Sequence, residues 1–235
     1  MIRLRPARSV IRSINRAALA NTVATATIVT ALAACSSPAG PSASLGTVPS
    51  ASLGTCPSSQ PPALPSGETR TVRVDTAKGA ITIRIEANLS PIAAGNFVAL
   101  ASCGFYNGVV FHRVVPGFVI QGGDGQFGKT PGIDRNRVGT GGPGYTIADE
   151  PVTATYKRGT VAMARSSAPN SVGSQFFIVL DDSARQSLAD PSTNNYQIIG
   201  TVTAGMDAVD AIAAAADAEI PTNPVAMTSV SVSNP

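Results

Sequence analysis

The stretch FHRVVPGFVIQGGD, residues 111–124, decides how this chain is read. Its apolar residues are β-branched or aromatic, which suits strands better than helices. Pro116-Gly117 interrupts them as a tight turn and Gly122-Gly123 closes the run, so two short strands meeting at a bend are predicted. One cation, Arg113, sits in the otherwise apolar first strand. Gln121 has the same alternation parity as Arg113, Val115 and Val119, which sets a fixed charge in an apolar, aromatic neighbourhood. On the residues alone, Arg113 is equally well explained as a buried ion pair with no catalytic part. A second stretch, MARSSAPNSVGSQFFIV at residues 163–179, again leads small and polar residues into a Gln and two Phe.

Outward from these stretches, residues 71–75 and 80–85 alternate apolar and polar around Lys78-Gly79, the pattern of a hairpin. Ser90-Pro91 predicts a helix start, with a capping hydroxyl and proline at the first helical position, and Gly104 predicts its stop. Phe97, Leu100 and Ala101 share one face of that helix. Beyond a glycine-rich segment at 122–144, strands are predicted at 159–164, 175–180 and 196–202. A second helix at 206–216, with Val209, Ile212 and Ala213 inward, precedes a last strand at 227–232. About eight strands, two helices and no βαβ alternation give a mainly β domain with an antiparallel sheet, either barrel or sandwich.

Charge is unevenly spread. Of 17 basic residues, Arg3, Arg5, Arg8, Arg12 and Arg16 fall in the first 16 positions, and no acidic residue precedes Glu68. The remaining 12 basic and 14 acidic residues leave a net charge of −2, so nothing favours a nucleic-acid partner. The basic start, the small and apolar run from Ala17 to Ala34 and the following Cys35 read as a signal peptide over residues 1–34. The run is diluted by Asn21 and several Thr and is short for a membrane span of about 20 residues. Leu32-Ala33-Ala34-Cys35 resembles a bacterial lipobox, whose Cys becomes the acylated first residue; an ordinary signal peptide with a chance Cys reads the same way. Residues 35–67 are Ser, Pro, Ala and Gly with the duplication PSASLGT at 41–47 and 49–55, a flexible tether. The folded domain is placed at 68–235. With Cys35 lipidated, Cys56 and Cys103 form an even pair outside the cytoplasm. They are either joined, pinning the tether's end to the first helix, or Cys103 is buried and Cys56 idle.

Several motifs are weaker than they look. Residues 139–144, GTGGPG, satisfy the dinucleotide pattern, but Pro143 lies inside it and TIADEP follows, so no helix opens onto a pyrophosphate. A loop beside a substrate groove is the better use of these glycines. His112 is the only histidine, which excludes a multi-histidine metal site and reads as a support residue. A Ser174-His112 hydrolase lacks the nucleophile-elbow context. Asn88-Leu89-Ser90 matches a glycosylation sequon whose Ser90 is committed to capping.

FHRVVPGFVIQGGD, GTGGPGY, MARSSAPN with GSQFFIV, and QIIGTV at 197–202 together resemble the cyclophilins, a family of peptidyl-prolyl cis-trans isomerases, over residues 71–232. The resemblance implies a closed antiparallel eight-stranded β-barrel capped by two α-helices. It implies Arg113 as the catalytic residue, Phe118, Val119, Phe177 and Leu188 around a proline pocket, and Gln121, Ala164 and Gln175 along the peptide groove. Tyr196 stands where some members carry His. No cofactor or metal is implied, and the expected partners are proline-containing segments of other proteins, met by a monomer. Departures are the lack of any Trp, with Ser187 before Leu188 where many members place one, and a long 122–144 loop. The expected setting is extracytoplasmic, on the membrane through Cys35 or secreted. A non-catalytic chaperone or scaffold of the same fold is the alternative.

Overall fold

The hydrophobic alternation of residues 69–86 becomes the first pair of strands, β1 (Thr69–Thr76) and β2 (Gly79–Glu86). Val72, Val74, Ile81, Ile83 and Ile85 point inward and are fully buried, while Arg73 and Arg84 face water. The computed structural model describes residues 54–189 and 196–234; the expected signal peptide at 1–34, Cys35 and the expected tether up to residue 53 lie outside them. After α1 (Pro91–Ser102) come β3 (Phe111–Val115), β4 (Val119–Gly122), β5 (Thr160–Met163) and β6 (Phe176–Val179). A 3-10 turn (Asp182–Ala184) runs into the one-turn α2 (Arg185–Leu188); β7 (Ile198–Ala204), α3 (Met206–Ala214) and β8 (Met227–Ser233) complete the described elements.

All neighbouring strands pair antiparallel in one sheet of order β3-β4-β6-β5-β7-β2-β1-β8. The expected closed barrel is not what the ladder makes. The sheet is open and curled, because the edge strands β3 and β8 share no ladder. Its ends are drawn together at an isolated bridge, Val110 to Ala226, where Met227 N–H donates to Val109 O and Phe111 N–H to Val225 O. The concave face holds the main core, in which Phe97, Tyr106, Phe111 and Phe176 pack tilted or edge-to-face with centroids 5.1 to 6.2 Å apart.

Two sequence expectations about α1 are corrected. Ser90 stands at the N-cap, but its side chain makes no capping bond and its Oγ is buried without a partner among the described residues. Glu150 takes that role from a distant loop: its two carboxylate oxygens accept from the Ile92 and Ala93 N–H groups, each at 2.8 Å. A carboxylate there meets both the orphan amides and the positive end of the helix dipole. The second correction concerns residues 54–67, which composition assigns to the tether. They run along α1 instead. Cys56 and Cys103 are joined as a disulfide, Leu64 is buried and donates its N–H to Pro91 O, and the Gln60 side chain accepts from Ala148 N–H. Gly95 permits the approach, since a Cβ there would stand 2.4 Å from Pro62 O.

Candidate active site

Strand register builds the site. Arg113 on β3 pairs with Gln121 on β4, Gln121 with Phe177 on β6, and Phe177 with Ala162 on β5, so one cross-strand row runs over four strands on the convex face. The next row on that face is Val115, Val119 and Val179. The intervening row, Val114, Ile120 and Ile178, points into the core. A second hydrophobic cluster thus forms outside the sheet. It contains Val119, Ala162, Phe177, Val179, Ala184, Leu188 and Ile198, with Phe118, Ala164 and Tyr196 packed on it.

Each expected site residue has a defined support. Phe118 lies in the β3–β4 turn, held by its N–H to Val115 O at 3.0 Å and by its carbonyl, which accepts from Leu180 N–H at 2.8 Å. Leu188 arrives on α2. Tyr196 meets the Phe177 ring edge-on at 5.2 Å, and its carbonyl accepts from the Tyr156 hydroxyl at 2.7 Å. Ala164 donates its N–H to Gln175 O at 2.8 Å.

A polar chain borders this apolar cluster. Arg113, 37% exposed, donates from Nε to Glu219 Oε1 at 2.7 Å, and its Nη1 lies 3.5 Å from Gln121 Oε1. Gln121 Nε2 donates to Gln175 Oε1 at 3.0 Å, and Gln175 Nε2 donates to the carbonyls of Gly139 (2.9 Å) and Gly141 (2.8 Å). The order fixes both amides: Gln175 gives its NH₂ to the loop, so its oxygen faces Gln121, whose own oxygen is left for Arg113. Beyond Gln175, residues 139–146 together with Ala164, Arg165 and Ser171 line a groove of about 760 Å³. The glycines of the rejected dinucleotide pattern form its wall.

Asp124 holds that wall. Its Oδ1 accepts from the N–H groups of Gln126 and Phe127, its Oδ2 from those of Gly139 (2.7 Å) and Gly141 (3.0 Å), and it is fully buried. Gly141 has no room for a side chain, because a Cβ would lie 2.4 Å from Asp124 Oδ1.

His112 departs from simple alternation. The β3–β4 register shifts between Phe111 and Arg113, so His112 is the extra residue of a β-bulge. Without that bulge Phe111 and Arg113 would share a face; with it, Phe111 enters the core and Arg113 faces the groove. His112 itself is 4% exposed, and neither ring nitrogen has a hydrogen-bond partner in bonding geometry among the described residues. Desolvation pushes its pKa below the ordinary 6.5, against the opposing pull of Asp124 and Gln175. Among the described residues no three His, Cys, Asp or Glu side chains are grouped to hold a metal ion.

The sequence pattern described as cyclophilin type peptidyl-prolyl cis-trans isomerase/CLD matches residues 71–232. The chain belongs to the cyclophilins. This cyclophilin is 43% identical over 152 residues to a probable peptidyl-prolyl cis-trans isomerase of Brucella abortus (strain 2308), covering 63% of this chain and 74% of that one. It is 40% identical over 144 residues to a peptidyl-prolyl cis-trans isomerase of Acinetobacter baylyi, covering 60% and 71%. A crystal structure of a Cryptosporidium parvum cyclophilin type isomerase in the presence of the dipeptide Ala-Pro superposes with a TM-score of 0.57. It shares 28% identity and covers 70% of this chain and 99% of that one. The chain is therefore a peptidyl-prolyl cis-trans isomerase, an enzyme of the cyclophilin type. Sequence reading missed Glu219, Glu150 and the anchoring role of Asp124. Only Asp124 carried a local signal, an Asp two and three residues before amides it can cap as an Asx turn.

Proposed function

We propose that this isomerase works outside the cytoplasm, tethered through an acylated Cys35, and turns X-Pro bonds with Arg113 as the donor to the prolyl nitrogen. The observation that carries the reading is the cross-strand row that runs from Arg113 through Gln121 to Phe177. The planar X-Pro amide resists rotation with a barrier of about 18–20 kcal/mol because of resonance. At the twisted transition state that resonance is lost, and the pyramidal nitrogen exposes a lone pair. A guanidinium N–H aimed at the lone pair binds the transition state better than either planar state, which is the condition for acceleration.

One preorganised donor is worth about 3–4 kcal/mol, roughly a few hundredfold in rate. The remainder falls to the pocket. Partly exposed Phe118 and the almost fully buried Val119, Phe177 and Leu188 form an apolar cluster against which a bound amide loses water, which disfavours its charge-separated planar form. Gln121 is placed to hold the carbonyl beside the proline, so that rotation happens within one bound complex. Rotation moves no proton and no electron, so the reading calls for no cofactor. The substrate is a proline-containing segment of another protein, the ligand class of the dipeptide in the Cryptosporidium structure. The enzyme acts as a monomer.

The test is exchange spectroscopy of an excess of Ala-Pro peptide by NMR. Cis–trans cross-peaks that appear only with the enzyme support the reading. Peptide binding without exchange would make the chain a proline-binding chaperone or scaffold. For the tether, replacing Cys35→Ser should abolish fatty-acid labelling and release the protein from the membrane fraction; unchanged retention would count against acylation.

A further inference from the structure

We infer that Glu219 is a positioning residue for Arg113, orienting the guanidinium so that one edge of it faces the proline pocket. The inference rests on Arg113 being the donor. An arginine side chain has several rotatable bonds, and a donor that must meet a transient lone pair is useful only if their freedom is already lost. The strand fixes the Arg113 Cα but not the guanidinium.

Glu219 can supply that constraint because it is itself fixed. Its carbonyl accepts from Val114 N–H at 2.8 Å and its carboxylate Oε1 accepts from Arg113 Nε at 2.7 Å, so it grips two consecutive residues of β3. The loop that carries it, between α3 and β8, has its own ties. Asp217 Oδ1 accepts from Thr222 N–H at 2.8 Å, and Arg135 donates to the carbonyls of Pro221 and Thr222.

The guanidinium is planar, and two contacts determine its plane. Nε is held by Glu219 and Nη1 faces Gln121 Oε1, which leaves Nη2 in a set direction for substrate. Glu219 is 61% exposed and Arg113 37% exposed, so in water the pair adds little to stability. A peptide laid over the groove excludes water and strengthens the pair when orientation matters. An ion pair at Arg113 and a catalytic role for it, alternatives from the sequence alone, are here compatible.

The experiment is a double-mutant cycle on the full chain, with kcat and KM measured separately on an X-Pro peptide and melting followed by circular dichroism. Glu219→Ala should lower kcat roughly tenfold, within the roughly hundredfold that a misplaced group can cost, with little change in KM or melting temperature. Glu219→Gln, which keeps the acceptor oxygen, should recover most of the loss. In an Arg113→Ala background, Glu219→Ala should add nothing. A silent or accelerating Glu219→Ala beside a crippled Arg113→Ala overturns the inference alone, as does an additive double variant. A fully active Arg113→Ala overturns the arginine mechanism, and the inference with it. If Glu219→Ala melts early, Glu219→Gln decides: full activity supports orientation through the acceptor, and a tenfold loss equal to that of Ala contradicts it.

Discussion

Replacing Asp124→Asn should loosen the groove wall at a cost readable in both melting and catalysis. Four backbone N–H groups converge on this carboxylate, two on each oxygen. An amide retains one oxygen, so whichever way it turns, two N–H groups lose their acceptor and face an NH₂ donor. Hydrogen bonds to a charged group are worth about 1.5–3 kcal/mol each, which puts the loss at roughly 3–6 kcal/mol before local relaxation. For a domain of this size about 2–4 °C accompanies each kcal/mol, so a fall of roughly 6–24 °C in melting temperature is expected by circular dichroism. Catalysis should suffer at the permissive temperature as well. Gly139 and Gly141 offer the carbonyls that orient Gln175, and Gln175 orients Gln121. An Asn variant that melts within about 2 °C of the wild type and turns over peptide normally would refute the view that Asp124 holds the wall.

Two further outcomes follow from contacts outside the pocket. Reducing the Cys56–Cys103 disulfide, which closes a 47-residue separation, should lower stability by about 2–4 kcal/mol in denaturant titrations. It should also expose residues 54–67 to proteolysis while leaving peptide turnover intact; unchanged protease sensitivity would show that docking along α1 does not need the bond. With pH, His112 sets the sign. Its folded pKa lies below its ordinary 6.5, so the unfolded chain binds the proton more readily. The stability it contributes is complete above about pH 6.5 and declines as pH falls from there towards the folded value. Turnover, which moves no proton, should stay flat as pH falls below about 6.5 for as long as the chain is folded; a step in kcat/KM there would assign His112 a chemical role.

How far the sequence carried differs from element to element. The β1–β2 hairpin and the Arg113–Gln121 pairing were legible because alternation with a period of two is a local property, and a tight turn sets the register. The apolar residues proposed for the site, Phe118, Val119, Phe177 and Leu188, came from the family resemblance and not from alternation; the structure gathers them in one hydrophobic cluster. The bulge at His112 was not, because inserting one residue leaves no mark in composition. Residues 54–67 look like tether because they bury little of themselves; their order comes from α1, where Gly95 opens a path and Cys103 an anchor. Glu150 reaches the N-terminus of α1 from 57 and 58 residues away, and Glu219 reaches Arg113 from 106, separations at which no local pattern speaks. Closure of the barrel, implied by the family resemblance, was too strong an expectation, and of the three described helices the one-turn α2 was not foreseen; strand number alone does not set whether the edges pair.

The central claim is that Arg113 is the group that distinguishes the twisted from the planar amide. The most direct measurement is the cis-to-trans relaxation of a short X-Pro peptide with the wild-type chain and with Arg113→Ala, alongside peptide affinity for each. A loss of about a hundredfold or more in kcat/KM, with affinity changed far less and the fold intact, is the predicted result. A variant that relaxes the peptide as fast as the wild type would contradict the account.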